Sequence, residues 1–357
     1  MLPVAVTWPD VAREQAFGRW LDGIAARHVL DRTSLAPASV DASFRRYLRL
    51  GSGAGGSASL IIMDAPPPQE NVRAFVHVAG LINGCGLHAP RVLECDAEQG
   101  FLLLDDLGRT LYLDALLAAQ ASADSARADA LMRDALRALL HFQRRMPAAA
   151  LPPYSEALLQ RDLSLFPEWC VQREFGVTWS TAERATWDRI CRLLIDSALA
   201  QPSVAVHRDW MPRNLMVTEP NPGILDFQDA VQGPITYDLA SLLRDAFLSW
   251  DEERELDWAV RWWDEARRTE LPLGDTLGSD FGEFWRALEW MGLQRHLKVL
   301  GIFCRLKHRD GKPRYAEDLP RFFAYATKVA LRYGPLKPLL ALLEPLSGQR
   351  VASALTF

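Results

Sequence analysis

The segment Val204-Ala-Val-His207-Arg208-Asp209-Trp-Met-Pro-Arg213-Asn214-Leu-Met-Val217, followed by Gly223-Ile-Leu-Asp226-Phe227, gathers a histidine, two aspartates and an asparagine at short spacings. An apolar strand runs into His207-Arg208-Asp209, and Asn214 follows five residues after the aspartate. A short strand over 215–217 turns through the Pro- and Gly-containing stretch 219–223 and returns as Ile224-Leu225-Asp226-Phe227. Phosphoryl transfer to an alcohol needs one carboxylate to position and deprotonate the hydroxyl, and oxygen ligands to hold Mg²⁺ across the phosphates of ATP. The pattern H-x-D-x-x-x-x-N, then a hairpin to D-F, sets three such groups at neighbouring strand ends. Asp209 is expected to face the acceptor, and Asn214 and Asp226 to hold the metal. His-Arg-Asp alone is equally well a surface ion pair; the complete pattern, with strands on both sides, is what points to kinase-type chemistry.

The elements that must carry these groups change character along the chain. Residues 9–31 read as a helix. Phe44-Arg45-Arg46-Tyr47-Leu48-Arg49-Leu50 and Ala58-Ser59-Leu60-Ile61-Ile62-Met63 read as two strands joined by the glycine-rich turn Gly51 to Ser57. No Lys-Ser or Lys-Thr follows those glycines, so they form a hairpin tip rather than a phosphate loop. Three prolines at 66–68 break the chain, 69–82 looks helical, and 91–96 with 100–104 reads as another strand pair. Beyond Asp105-Asp106-Leu107-Gly108 the pattern is helical over 110–119, 122–145, 155–175 and 180–199. The strand-rich stretch 204–227 interrupts it, and helices resume from 236. The fold class expected is α+β. Residues 1–104 make a small antiparallel-sheet lobe with one internal helix and the N-terminal helix, 105–108 a hinge, and 109–357 a larger, mainly helical lobe. Six of the 12 tryptophans fall between 250 and 290, which fits a helical core packed with large rings better than a sugar-stacking platform.

Composition narrows the classes. The 357 residues are 49% hydrophobic and 24% charged, the balance of a folded chain. The formal net charge of −5 speaks against wrapping nucleic acid. No apolar run approaches the ~20 residues that span a bilayer, and no secretory signal is visible. The five cysteines are scattered, with no C-x-x-C and no H-E-x-x-H, so neither a disulfide framework nor a zinc site is expected. A reducing cytoplasm is the expected setting, with no membrane and no obligate protein partner indicated.

The catalytic segment, Ile224-Leu-Asp-Phe-Gln-Asp229 and Gly233-Pro-Ile-Thr-Tyr-Asp238-Leu-Ala-Ser-Leu242 together resemble the aminoglycoside phosphotransferase and choline kinase superfamily. The resemblance implies small-molecule kinases with a protein-kinase-like two-lobe fold. Within it, His207 and Asp238 support the catalytic loop, Asp238 by hydrogen-bonding it; a plain helix N-cap is the other reading of Asp238. Further stretches bring the chain close to one branch: Asp41-Ala-Ser-Phe-Arg-Arg-Tyr47, Met63-Asp-Ala-Pro-Pro-Pro-Gln-Glu70, Leu242-Leu-Arg-Asp245 and Leu293-Gln-Arg-His-Leu-Lys-Val-Leu-Gly-Ile-Phe303. That branch is the bacterial anomeric kinases acting on N-acetylmuramate and N-acetylglucosamine in peptidoglycan recycling. The resemblance covers 34–340 and implies ATP and Mg²⁺ as cofactors and an amino sugar as substrate. It further implies that the loop 41–45, with Ser43, covers the phosphates and that adenine meets main chain at Asp105 and Leu107. Capping of the helix after Thr110 is the structural alternative for Asp105 and Asp106.

One departure stands out. Where protein kinases carry a strand lysine that grips the phosphates, this chain has Met63. Arg46 is expected to supply the charge from the preceding strand, on the face shared with Leu48 and Leu50; Glu70 is either its orienting partner or equally well a solvent-facing glutamate. Arg45 and Arg49 then face the other way, into solvent.

For the acceptor, residues 294–314 hold seven arginines and lysines against Asp310 alone. On a helix Arg295, Lys298, Ile302, Arg305 and Arg309 share a stripe, opposite the apolar Leu293, Leu297, Leu300 and Cys304. A sugar bearing a carboxylate is served by a guanidinium nearby, which makes Arg295 and Arg305 candidate contacts; a solvated helix face is the alternative. Arg213 and Asp229 are further candidates, unless Arg213 simply pairs with Asp229 or Asp245. An aminoglycoside, choline or another hexose stays open as acceptor, as does a nucleotide-binding module without catalysis.

Overall fold

The computed structural model describes residues 6–40, 44–53 and 58–347. In chain order the strands and helices are α1 (Val11–Ala25), β1 (Leu30–Val40), β2 (Arg46–Ser52), β3 (Ala58–Asp64), α2 (Val72–Gly84), β4 (Val92–Asp96) and β5 (Phe101–Asp105). There follow α3 (Tyr112–Ala121), α4 (Ser125–Arg145), α5 (Glu156–Leu165), a π-helical stretch (Phe166–Glu174) and α6 (Thr181–Leu199). The strands β6 (Ser203–Val206), β7 (Leu215–Met216), β8 (Gly223–Ile224) and β9 (Val231–Pro234) precede α7 (Tyr237–Leu243), α8 (Glu252–Arg267) and α9 (Gly274–Ser279). The long α10 (Phe281–His308), α11 (Leu319–Arg332) and α12 (Leu340–Ser347) complete the series. Two compact units result, Met1–Tyr112 with Asn214–Asp229, and Leu113–Arg213 with Ala230–Phe357. No helix among the described residues is long and apolar enough to cross a membrane.

The first unit is built on a five-stranded antiparallel sheet in the order β1-β2-β3-β5-β4. Alternation along the strands gives it two faces. Leu48, Leu50, Ile62, Phe101 and Leu103 point one way and pack on Phe17, Leu21 and Ile24 of α1. Asp10 caps that helix by accepting from the Arg13 amide. Polar groups also end on this face: Arg13 and Arg46 both close on Asp64, whose side chain is 1% exposed. Arg46 Nε donates to Asp64 Oδ2 at 3.0 Å, and its guanidinium lies 4.5 Å over the Trp8 ring. The opposite face carries Tyr47 and Met63, which are register partners. The β7–β8 hairpin belongs to the same unit, tied by Ile224 N to His88 O at 2.7 Å and by Val217 N to Thr110 O at 2.9 Å.

The second unit is helical around α10, a 28-residue helix buried along most of its length. Its predicted apolar stripe, Leu293, Leu297, Leu300 and Cys304, lies in the core. Gly301 permits the tightest approach, because a Cβ there would sit 2.4 Å from the Leu165 carbonyl carbon. Trp258 and Trp262 are among the largest buried rings, as expected for core tryptophans. The short pair β6–β9 aims the chain at His207.

Candidate active site

In the second unit, β6 ends in the loop His207-Arg208-Asp209, and Arg208 adopts a positive φ of 77°. Such a backbone needs outside support. Asp238 provides it from the first turn of α7: Oδ2 accepts from His207 N at 2.6 Å and Oδ1 from Arg208 N at 2.9 Å. The N-cap position belongs to Thr236, so Asp238 braces the loop rather than capping the helix. Burial, with the Asp209 carboxylate nearby, pushes Asp238 up to about 7 against the two amides, which favour its charge. His207 is wholly buried beside Phe142 and Trp210, and its Nδ1 accepts from Asp209 N at 3.3 Å.

Asp209 itself is partly exposed. Desolvation alone would raise its carboxyl; Lys298 and Arg295, then Arg208 and His207, outweigh it and hold Asp209 below its ordinary value. Lys298 is buried, donates to Tyr237 Oη at 3.1 Å and stands 3.5 Å from Asp162 Oδ2. Burial pulls its ammonium down, but Tyr237, Asp162 and Asp209 keep it raised and charged. Asp162, on α5, also accepts from the Tyr154 hydroxyl and, at 3.2 Å, from Arg208 Nη2. Arg295 is 1% exposed, and its Nη1 has no hydrogen-bond partner among the described residues. Thus Arg295 and Lys298, the first cations of the predicted stripe, are charged walls around Asp209 instead of a solvated face.

The other candidates from the sequence fall elsewhere. Arg305 sits ten residues beyond Arg295, about 15 Å along the helix, and its charged neighbours are Arg309, Asp310, Arg161 and Glu168. It is therefore not part of the Asp209 cluster. Arg213 takes neither of its expected acidic partners; its guanidinium lies 5.0 Å over Phe247. Asp229 is exposed. Asp245 is buried, accepting from the amides of Phe247 and Leu248.

In the first unit, the β7–β8 hairpin brings Asn214 Nδ2 to 3.5 Å from Asp226 Oδ2, and Leu225 N donates to Asn214 O at 2.9 Å. Asp226 has a positive φ of 60° and a side chain 38% exposed, with Gln228 Nε2 donating to Oδ1 at 2.7 Å. A carboxamide and an accessible carboxylate side by side are hard oxygen donors. They suit Mg²⁺, which binds through one or two such groups plus phosphates and water.

Around them the expected cation is corrected. Glu70 does not meet Arg46; it accepts from Arg45 Nε at 2.9 Å, and its other oxygen accepts from Phe44 N at 3.3 Å. The parity of the strand was right, but the Leu48/Leu50 face is the one under α1, so Arg46 is spent on Asp64. Arg49 is not solvated either: Nε and Nη2 donate to Asp106 at 2.5 and 2.9 Å. Asp105 and Asp106 cap no helix, since Asp105 accepts from Arg91, and Asp106 from Arg49, Ser59 and Gly108 N. Leu107 is 9% exposed and lies where a Cβ on Gly223 would touch it. Ser43 lies outside the described residues.

Residues 34–298 match the phosphotransferase enzyme family. The chain belongs to this family. Phosphotransferases similar to it include the N-acetylmuramate/N-acetylglucosamine kinase of Pseudomonas putida, 53% identical over 97% of this chain and 94% of that one. The protein of the same name from Pseudomonas aeruginosa is 50% identical over 94% of this chain and 98% of its own. Among solved structures, an ADP-bound aminoglycoside phosphotransferase superposes with a TM-score of 0.55 at 11% identity, covering 90% of this chain and 99% of that one. The fold is therefore α+β and protein-kinase-like, and the chain is a phosphotransferase.

Proposed function

We propose that the chain is an ATP-dependent sugar kinase that phosphorylates the anomeric hydroxyl of N-acetylmuramate and N-acetylglucosamine to give the 1-phosphate. The acceptors are those named for relatives 50% and 53% identical over nearly the full length. The observation that carries the chemistry is Asp209, a carboxylate kept ionised by Lys298 and Arg295 on a loop pinned by Asp238.

Asp209 accepts a hydrogen bond from the sugar hydroxyl and orients its oxygen toward the γ-phosphorus. As the new O–P bond forms and the bond to the β-phosphate oxygen breaks, the hydroxyl proton passes to Asp209. An anomeric hydroxyl is more acidic than an ordinary alcohol, so this transfer comes late and orientation dominates. Asn214 and Asp226 would hold Mg²⁺. What that ion supplies is neutralisation of charge on the β- and γ-phosphate oxygens. Arg295 Nη1, without a hydrogen-bond partner among the described residues, is the group that would donate to an acceptor oxygen, the lactyl carboxylate of N-acetylmuramate included, once a sugar displaces the side chains now covering it.

The test is a panel of alcohols, including both amino sugars, choline and an aminoglycoside, incubated with ATP and Mg²⁺ and read by phosphorus NMR. A phosphomonoester coupled to an anomeric proton, formed only with the amino sugars, is expected. Product on any other hydroxyl would overturn the assigned position.

A further inference from the structure

Phosphate-gripping kinases need a cation beside the metal-holding carboxylate, and the resemblance given above implies that Met63 stands where a strand lysine would supply it. The register Tyr47↔Met63 puts Tyr47 on Met63's face of the sheet, and Arg45, the residue just before β2, has Tyr47, Glu70 and Asp226 as its electrostatic neighbours. Arg45 Nε is fixed by Glu70 at 2.9 Å, and Nη1 reaches to 3.9 Å from Asp226 Oδ1. The side chain is only 12% exposed, so the guanidinium is held rather than waving in solvent. Glu70 grips Phe44 N as well, which ties this cation to the loop before β2.

We infer that Arg45, oriented by Glu70, is the nucleotide's polyphosphate grip in place of the missing strand lysine, with its Nη groups serving the phosphates beside Asp226. A guanidinium suits the task, since one edge can bond a carboxylate while another serves phosphate oxygens, a division a lysine ammonium makes less rigidly. The 3.9 Å separation from Asp226 is longer than a hydrogen bond, so that contact is readily exchanged for a phosphate oxygen. This inference rests on the kinase reading only for the nucleotide, not for the sugar.

Calorimetric titration of Arg45→Ala with ADP and with adenosine, both in Mg²⁺, tests it. ADP affinity should fall about tenfold to hundredfold, the loss expected for one charge-assisted contact, while adenosine affinity stays within twofold. Arg46→Ala should leave both unchanged. An equal fall for ADP and adenosine, no fall for either, or a selective ADP loss in Arg46→Ala instead would overturn the assignment. If Arg45→Ala does not fold, Arg45→Lys carries the test. It keeps the charge but not the Nε bond to Glu70, and should weaken ADP several-fold while sparing adenosine; equal ADP binding would again contradict the assignment. Sugar phosphorylation is not needed for any of these readings, so a wrong acceptor and a wrong cation fail in different experiments.

Discussion

The two units treat charge differently. In the sheet unit, cations meet carboxylates in separate local sets: Arg45 with Glu70, Arg49 with Asp106, and Arg46 with Arg13 on Asp64. In the helical unit, Asp162, Arg208, Lys298, Arg295, Asp209 and Asp238 are linked by ion pairs and mutual electrostatic influence. On the proposed kinase function, the difference follows the ligands. A nucleotide arrives with its own negative charge and calls for positive groups placed side by side. A sugar hydroxyl is neutral, so the charge that activates it must be built into the protein beforehand. Changes in the first unit should therefore stay local, whereas changes in the second should spread through the network.

Three substitutions sharpen that contrast. The largest effect is expected for Asp226→Ala, where removal of the carboxylate proposed to hold Mg²⁺ should lower kcat on the order of a thousandfold. The Mg²⁺ concentration giving half-maximal rate should also rise. An unchanged Mg²⁺ dependence would take Asp226 out of the metal site.

Next is Lys298→Met. It leaves Asp209 desolvated but without its strongest neighbouring cation, so the carboxyl rises. Asp209 acts ionised, and activity is lost as pH falls through its pKa. A raised pKa moves that loss to higher pH, alongside a kcat reduced about tenfold or more. A lower kcat with an unmoved acid limb would mean that Lys298 supports only packing.

The smallest is Arg46→Ala. Asp64 retains Arg13, so stability should drop by about 1–2 kcal/mol, read as a lower urea midpoint, with the ATP KM within twofold. A raised KM without loss of stability would return the phosphate role to Arg46.

How much of this the sequence disclosed depends on the kind of signal. The loop carrying His207 and Asp209 and the hairpin that brings Asn214 beside Asp226 were legible because the spacing reflects a loop and hairpin of fixed length. The β2–β3 hairpin followed from its apolar alternation and glycine turn. β1 was not legible: Leu30–Val40 is polar and holds Pro37, features tolerated because it is an edge strand with register shifts at Asp31/Ala36 and Pro37/Ser39. The four-residue β9, with its Gly and Pro, was too short to be distinguished from a loop. Arg46 was misassigned for a physical reason. Alternation gives the parity of side chains, but which face a helix covers is decided by α1, which leaves no mark on β2 itself. For α10, a stripe of cations reads as a wet surface, and only the opposing Asp162, Asp209 and Asp245 explain why Arg295 and Lys298 are buried. Neither Asp162 nor the grouping of Asn214–Asp229 with the sheet unit has a local sequence signature.

The most direct test of the central claim, that Asp209 serves the acceptor and not the nucleotide, is a paired measurement on Asp209→Asn. Phosphoryl transfer to N-acetylglucosamine and ADP affinity would be read from the same preparation. The account predicts transfer reduced by about a thousandfold or more, the scale on which single catalytic groups act, with the ADP Kd within twofold of the unsubstituted protein. Turnover above a few per cent, or a loss of transfer matched by an equal loss of ADP binding, would contradict it.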